Sequence, residues 1–173
     1  MHDLIVACLL FLPAAVANAT PVLANKVPLI NRWSTPMDFG HSWRGKRLLG
    51  ANKSWRGFFT GSFLAGVTGV LVVLTVDSRY TLFQIFLLGC LLGAGALAGD
   101  AVESFIKRQK GIPSGKSWFP FDQIDYIIGG LIVIYPFLRL PLGSMLLIFV
   151  LFFGLHLLGA LAGYLLGLKD TPI

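Results

Sequence analysis

The chain has 173 residues, 55% hydrophobic and 13% charged, with a formal net charge of +6 and a pI near 9.6. That length fits one domain, and so apolar a composition excludes an ordinary soluble globule in favour of a membrane protein. The positive balance would direct attention to nucleic acid in a soluble chain. Here it fits cytoplasmic loops and an anionic partner, such as a lipid headgroup or a nucleotide phosphate, with no nucleic acid.

Five apolar runs stand out against the roughly 20 residues that a spanning helix needs. The first, residues 4–24, contains Pro13 and Pro21. Ala17-Asn18-Ala19 has the small-x-small form of a cleavage site, but Met1-His2-Asp3 lacks the positive charge that opens a secretory signal peptide, so a span is expected. Runs 58–76 and 82–99 are separated by Asp77-Ser78-Arg79-Tyr80-Thr81, a linker short enough for a helical hairpin. The fourth run, 122–138, stops short of Arg139 and Pro141, and the fifth covers 144–168.

Placing the amino terminus outside and the carboxyl terminus inside puts loops 25–57 and 100–121 on the cytoplasmic side. Of the fourteen Lys and Arg residues, only Arg79 and Arg139 then lie outside, the asymmetry that the positive-inside rule describes. The expected fold is an all-α integral membrane protein with about five transmembrane helices. The expectation is a single transmembrane domain over 1–173, multi-pass in the cell membrane, with both polar loops facing the cytoplasm.

Cys8 and Cys90 both lie in apolar runs, with no CxxC or zinc-type spacing, and read as packing residues. Gly57, Gly61, Ala65 and Gly69 recur every four residues, as do Gly159, Gly163 and Gly167. Such stripes let helices approach closely in lipid. His156 sits one turn before the second stripe and reads as a structural histidine.

The stretch from Gly99 to Asp125 carries four of the eight acidic residues and four of the fourteen basic ones, with apolar runs on both sides. Ionisable groups beside a bilayer are costly and mark function by default. As helix extensions, Asp100, Ser104, Lys107 and Arg108 fall at i, i+4, i+7 and i+8, on one face. Asp122 and Asp125 share a face at i, i+3. Carboxylates without soft ligands suit a hard cation such as magnesium, which takes one or two carboxylates plus substrate phosphates. Lys107 and Arg108 supply charge for a phosphate, and Glu103 has the spacing to pair with Lys107.

The first loop offers the complement. Arg44, Lys46, Arg47, Lys53 and Arg56 alternate with Gly45, Gly50 and Gly57, and Asn52, Ser54 and Trp55 are interleaved. Glycines permit close backbone approach, successive N–H groups can cradle an anion, and a helix amino terminus starting near Lys53 favours phosphate. No Walker A motif is present.

These motifs together resemble the membrane-integral phosphatidate cytidylyltransferases. The family pattern Gly-Asp-x-x-x-Ser-x-x-Lys-Arg falls on Gly99, Asp100, Ser104, Lys107 and Arg108, and the following Asp-x-x-Asp on Asp122 and Asp125. The first loop, Gly45-Lys46-Arg47-Leu48-Leu49-Gly50 and Asn52-Lys53-Ser54-Trp55-Arg56-Gly57, looks like the archaeal branch, the CDP-archaeol synthases. Bacterial members carry His-Gly-Gly before the aspartates and usually Arg between them, where this chain has Phe119-Pro120-Phe121 and Gln123. Arg56 stands where those bacterial members often have an acidic residue.

The resemblance implies transfer of CMP from CTP to 2,3-di-O-geranylgeranylglycerol 1-phosphate, giving CDP-archaeol and pyrophosphate in membrane phospholipid biosynthesis. It implies Asp100, Asp125, Lys107 and Arg108 as catalytic and Asp100, Asp122 and Asp125 as ligands of one or two Mg2+ ions, with room for a monovalent cation. Lys46, Arg47, Asn52, Lys53, Ser54, Ser104, Lys107, Arg108 and Lys116 would hold nucleotide and phosphate. The partners are CTP, an isoprenoid ether-lipid phosphate and the bilayer, and a homodimer is left open. Three other readings are weighed: a CTP-dependent polyprenol or lipid kinase, a small ion transporter, and a non-catalytic scaffold that recruits acidic partners through its basic loops, which would leave the carboxylates beside the spans unexplained. The transporter would place charge near mid-membrane and show an internal repeat, and the sequence has neither.

Overall fold

The computed structural model describes residues 2–24, 33–74 and 80–167. The expected end of the second span at Val76, the outside residue Arg79, loop residues 25–32, the Cys8 side chain and the last residue of the fifth span, Leu168, lie outside the described residues.

The described elements are helices α1 (His2–Ala24), α2 (Trp55–Val73), α3 (Leu82–Gln109), α4 (Phe121–Leu138) and α5 (Leu142–Leu165), with a short antiparallel hairpin, β1 (Ser42–Trp43) and β2 (Lys46–Arg47). Helices α2 to α5 are each long and apolar enough to cross a membrane, and α1 adds a shorter apolar helical stretch over Leu9–Val22.

Three local differences from the expected outline bear on the site. First, the stretch expected as loop 100–121 is helical as far as Gln109. No glycine or proline interrupts it before Gly111, and Lys107 and Arg108 in its last turn complement the helix dipole. A helix of 28 residues is about 42 Å long, against a hydrocarbon core of about 30 Å. The excess of about 12 Å is a little over two turns, and the charged end of the helix runs from Asp100 to Gln109.

Second, the first loop is not all coil. Arg44 and Gly45 both have positive φ (52° and 75°), as a tight two-residue hairpin turn requires. The Arg44 guanidinium lies 4.7 Å from the centre of the Trp43 ring, and Trp43 stacks on Phe105 of α3 at 6.0 Å. The hairpin is thereby laid against the protruding end of α3. Third, α2 begins at Trp55 instead of Phe58, because Ser54 caps it: its hydroxyl accepts the Gly57 N–H.

The main core joins four helices: Phe11 and Ala14 from α1, Leu92 and Ala96 from α3, Tyr126 to Ile134 from α4, and Ile148 and Phe152 from α5. The Tyr126 hydroxyl donates to the Phe152 carbonyl at 3.1 Å inside it, and His156 packs near the Tyr126 ring. Ala17, Ala65 and Leu97 form a second, smaller core where α1, α2 and α3 meet.

The first small-residue stripe is buried: Gly57, Gly61, Ala65 and Gly69 all face neighbours. Of the second stripe, Gly159 and Gly167 have open space around them among the described residues. The tightest approach is a different one. A Cβ on Gly99 would collide with the Asp125 carbonyl oxygen and lie 3.0 Å from the Gly129 Cα. Helices α3 and α4 thus touch backbone to backbone, immediately beside both aspartates.

Candidate active site

The contact of Gly99 with Asp125 sets the position of the turn of α3 that begins at Asp100. Asp100 and Glu103 on α3 and Asp125 on α4 come together so that one oxygen from each lies within 4.8 Å of the others. Asp100 also accepts from Lys53 Nζ of the first loop at 2.5 Å. The carboxylates of two helices and the amine of a loop some fifty positions upstream therefore share one place.

Asp122 lies at the edge of this cluster, its carboxyl in hydrogen-bonding contact with that of Glu103. It accepts Lys107 Nζ at 2.7 Å and the Trp118 backbone N–H at 2.8 Å. Lys107 is buried and lies 3.5 Å from Glu103 as well. The Glu103 oxygen on that side is buried, and the Lys107 ammonium is its ionic partner. Three clustered hard oxygen donors with no soft ligand among them fit a divalent cation. Asp125 accepts the N–H of Tyr126 at 2.6 Å.

The remaining expected residues divide between the carboxylate cluster and its rim. Ser104 is buried on α3 between Glu103 and Lys107. Lys46 donates to the Gln109 carbonyl at 2.6 Å, capping the end of α3 from the first loop. Asn52 donates to the Ser114 hydroxyl at 3.1 Å. Arg108 donates to the Pro113 carbonyl at 3.1 Å and lies across Gly50, its guanidinium 3.6 Å from where a Cβ would stand. Ser54 serves the α2 cap, Arg47 pairs with Asp38 at 2.5 Å, and Lys116 is exposed between α3 and α4. Lys46, Asn52 and Arg108 therefore stitch the two polar segments together.

Sequence reasoning passes over two acidic groups. Glu103 is legible in principle, since i, i+3 from Asp100 puts both on one face, but its spacing to Lys107 offers a simpler partner. Asp38 is hidden as a lone acid in a basic loop. Its side chain is fully buried and surrounded by donors. Burial works against its charge, but the Arg47 guanidinium and the N–H groups of Leu49, Gly40 and Gly50 more than offset this and hold its pKa at about 2.

An apolar cavity of about 270 Å3, lined in part by Leu10, Pro13, Ile85, Leu88 and Leu138, opens toward the opposite ends of α2, α3 and α4. It contains none of the charged groups above.

Known proteins are similar to this chain in both fold and sequence. The CarS-like family model, described as CDP-archaeol synthase, matches residues 1–173. A CDP-archaeol synthase of Pyrococcus horikoshii is 34% identical over 174 residues, covering 99% of this chain and 98% of the relative. Another, from Thermofilum pendens, is 38% identical over 164 residues, covering 93% and 77%. A solved structure described as an intramembrane enzyme for archaeal membrane lipids biosynthesis superposes with a TM-score of 0.76 at 32% identity, covering 88% of this chain and 91% of that one.

Proposed function

The chain belongs to the CDP-archaeol synthase family, and from that premise we propose how its residues move the cytidylyl group of CTP onto an archaeal lipid phosphate. The observation that carries the assignment of roles is the meeting of Lys53 with Asp100 beside Glu103 and Asp125. Asp100, Glu103 and Asp125 would hold a divalent cation such as magnesium, which when bound supplies positive charge to the triphosphate. In this reading Asp122 is a positioning residue: it orients the Lys107 ammonium and leaves the third carboxylate place to Glu103.

Lys53 and Lys107 face the carboxylates from two sides and are assigned to the phosphates, with Ser104 as a hydrogen-bonding support. Lys46, Asn52 and Arg108 hold the rim closed around the nucleotide, and Lys116 stands at its entrance. An ionised oxygen of the lipid phosphate forms the new bond to the α-phosphorus of CTP. The bond from that phosphorus to the bridging oxygen breaks, and pyrophosphate leaves with the electron pair. The nucleophile is ionised near neutral pH, so no Ser, Cys or His nucleophile is required. Positioning and charge compensation carry the rate.

The acceptor's polar end is placed at the cytoplasmic boundary and its isoprenoid chains between the helices, toward the apolar cavity. Five spans with the amino terminus outside fit the length of α1 and the concentration of Lys and Arg in the two polar segments.

The test uses purified protein in proteoliposomes with the lipid phosphate and CTP labelled at either the α or the γ position. The α label is expected in the lipid and the γ label in pyrophosphate. A γ label in the lipid, with CDP released, would instead make the protein a lipid kinase.

A further inference from the structure

By sequence the first loop reads as a cradle of backbone N–H groups for a substrate phosphate. Three of its amides, those of Gly40, Leu49 and Gly50, are already occupied by an anion of the chain's own. Asp38 Oδ1 accepts the Gly40 N–H at 3.0 Å and the Arg47 guanidinium at 2.5 Å. Its Oδ2 accepts the N–H groups of Leu49 at 3.0 Å and Gly50 at 3.1 Å. Donors from three separate points of the loop thus converge on one carboxylate.

We infer that Asp38 is a positioning residue for CTP, an internal anion around which the loop is folded so that its lysines reach the site. Around Asp38, Met37 N–H donates to the Lys53 carbonyl at 2.8 Å and Trp55 N–H to the Thr35 carbonyl at 3.1 Å, closing the base of the loop. Above it, the hairpin carries Lys46 onto the end of α3. Gly50, held by its N–H, keeps a positive φ of 94° and a bare face against Arg108. Lys53 comes three residues later and reaches Asp100.

Four hydrogen bonds to one ionised group are each stronger than neutral ones. The low pKa of Asp38 keeps the carboxylate charged throughout the physiological range. The site's basic side chains are therefore held ready before CTP arrives, and binding does not have to order the loop, which would otherwise weaken affinity. Arg47, a phosphate ligand by sequence, is part of this internal pairing.

This rests on the proposed function, so the experiment separates the two. Asp38→Ala and the milder Asp38→Asn are compared with the unaltered protein in detergent, by limited trypsin digestion with cleavage mapped between Arg44 and Lys53. The same proteins are assayed for CDP-lipid formation against CTP concentration. Asp38→Ala is expected to shorten the half-life of the loop toward trypsin at least about tenfold. It should raise the CTP KM by a similar factor, with kcat within about threefold, and Asp38→Asn should fall between. Should Asp38→Ala fail to fold, Asp38→Asn decides alone by the same two readouts.

Trypsin half-life and CTP KM both within twofold of the unaltered protein would overturn the inference. So would a fall in kcat at constant KM. Unaltered protein that forms no CDP-lipid would overturn the proposed function, while the digestion would still decide whether Asp38 orders the loop.

Discussion

The backbone contact of α3 with α4 makes a sharp prediction at a residue with no side chain. In Gly99→Ala the new methyl would fall well inside the 3.4 Å at which ordinary van der Waals contact begins, and its neighbour is a carbonyl oxygen that cannot rotate away. Gly129 stands opposite with its Cα already 3.0 Å from the same point. The helices must separate by about 1 Å, and overpacking of this kind costs about 1–3 kcal/mol. The larger effect is on the chemistry. Asp100 is the next residue along α3, so the displacement passes directly into its spacing from Asp125. A misplacement of about 1 Å can cost roughly 100-fold in rate. The assay is turnover of α-labelled CTP in proteoliposomes, with thermal unfolding in detergent to confirm the fold. Gly159→Ala is the control, because nothing lies within 4 Å of its added methyl. Turnover of Gly99→Ala within threefold of the unaltered protein would refute the claim that this crossing sets the carboxylate geometry.

Glu103→Gln is expected to lose at least about 100-fold in turnover, the scale seen when a positioned charged group is removed, and to weaken divalent-ion activation. Asp122→Asn should lose less and leave the metal titration nearly unchanged; the reverse order would return Asp122 to the metal. Lys53→Ala should raise the CTP KM by about tenfold or more, as expected for a charged contact worth about 1.5–3 kcal/mol, while Lys116→Ala stays within about threefold. With its folded pKa lowered to about 2, Asp38 contributes stability that is present above its unfolded value near 3.9 and is lost as pH falls toward 2. Hydrogen exchange at the Leu49 and Gly50 amides, corrected for intrinsic rate, should therefore show equal protection at pH 8 and pH 5; protection lost at pH 5 would count against that pairing.

Much of the site is legible because membrane cost and helical spacing are both written in sequence. Asp100, Lys107 and the Asp122–Asp125 pair announce themselves as charges where apolar runs end. The choice among carboxylates is not legible. Lys107 can pair with Glu103 by i, i+4 spacing or with Asp122 across the gap, and the structure shows it near both but closer to Asp122. The length of α3 is hidden for a related reason. Hydropathy marks where lipid contact stops, whereas the helix continues until Gly111, and the two points differ by about three turns. The hairpin is hidden because strands of two residues have no readable period, and Asp38 because a buried acid in a basic loop looks like any surface charge.

The over-long helix also explains why a soluble nucleotide and a membrane-held lipid can meet at one place. Their phosphates approach from opposite directions: CTP from water, the acceptor from the bilayer, where its chains fix the depth of its headgroup. A site wholly within a loop would reach the first but not the second, and one wholly within the bundle would strip the triphosphate of water at great cost. In the proposed arrangement Asp100 marks the place where α3 leaves the apolar layer, and the crossing at Gly99 brings Asp125 beside it. Lys53 arrives from the aqueous side on a loop anchored to the end of that helix through Lys46 and Trp43. One rigid element therefore sets the depth of the carboxylates and the reach of the loop together, which is what in-line transfer between two phases requires.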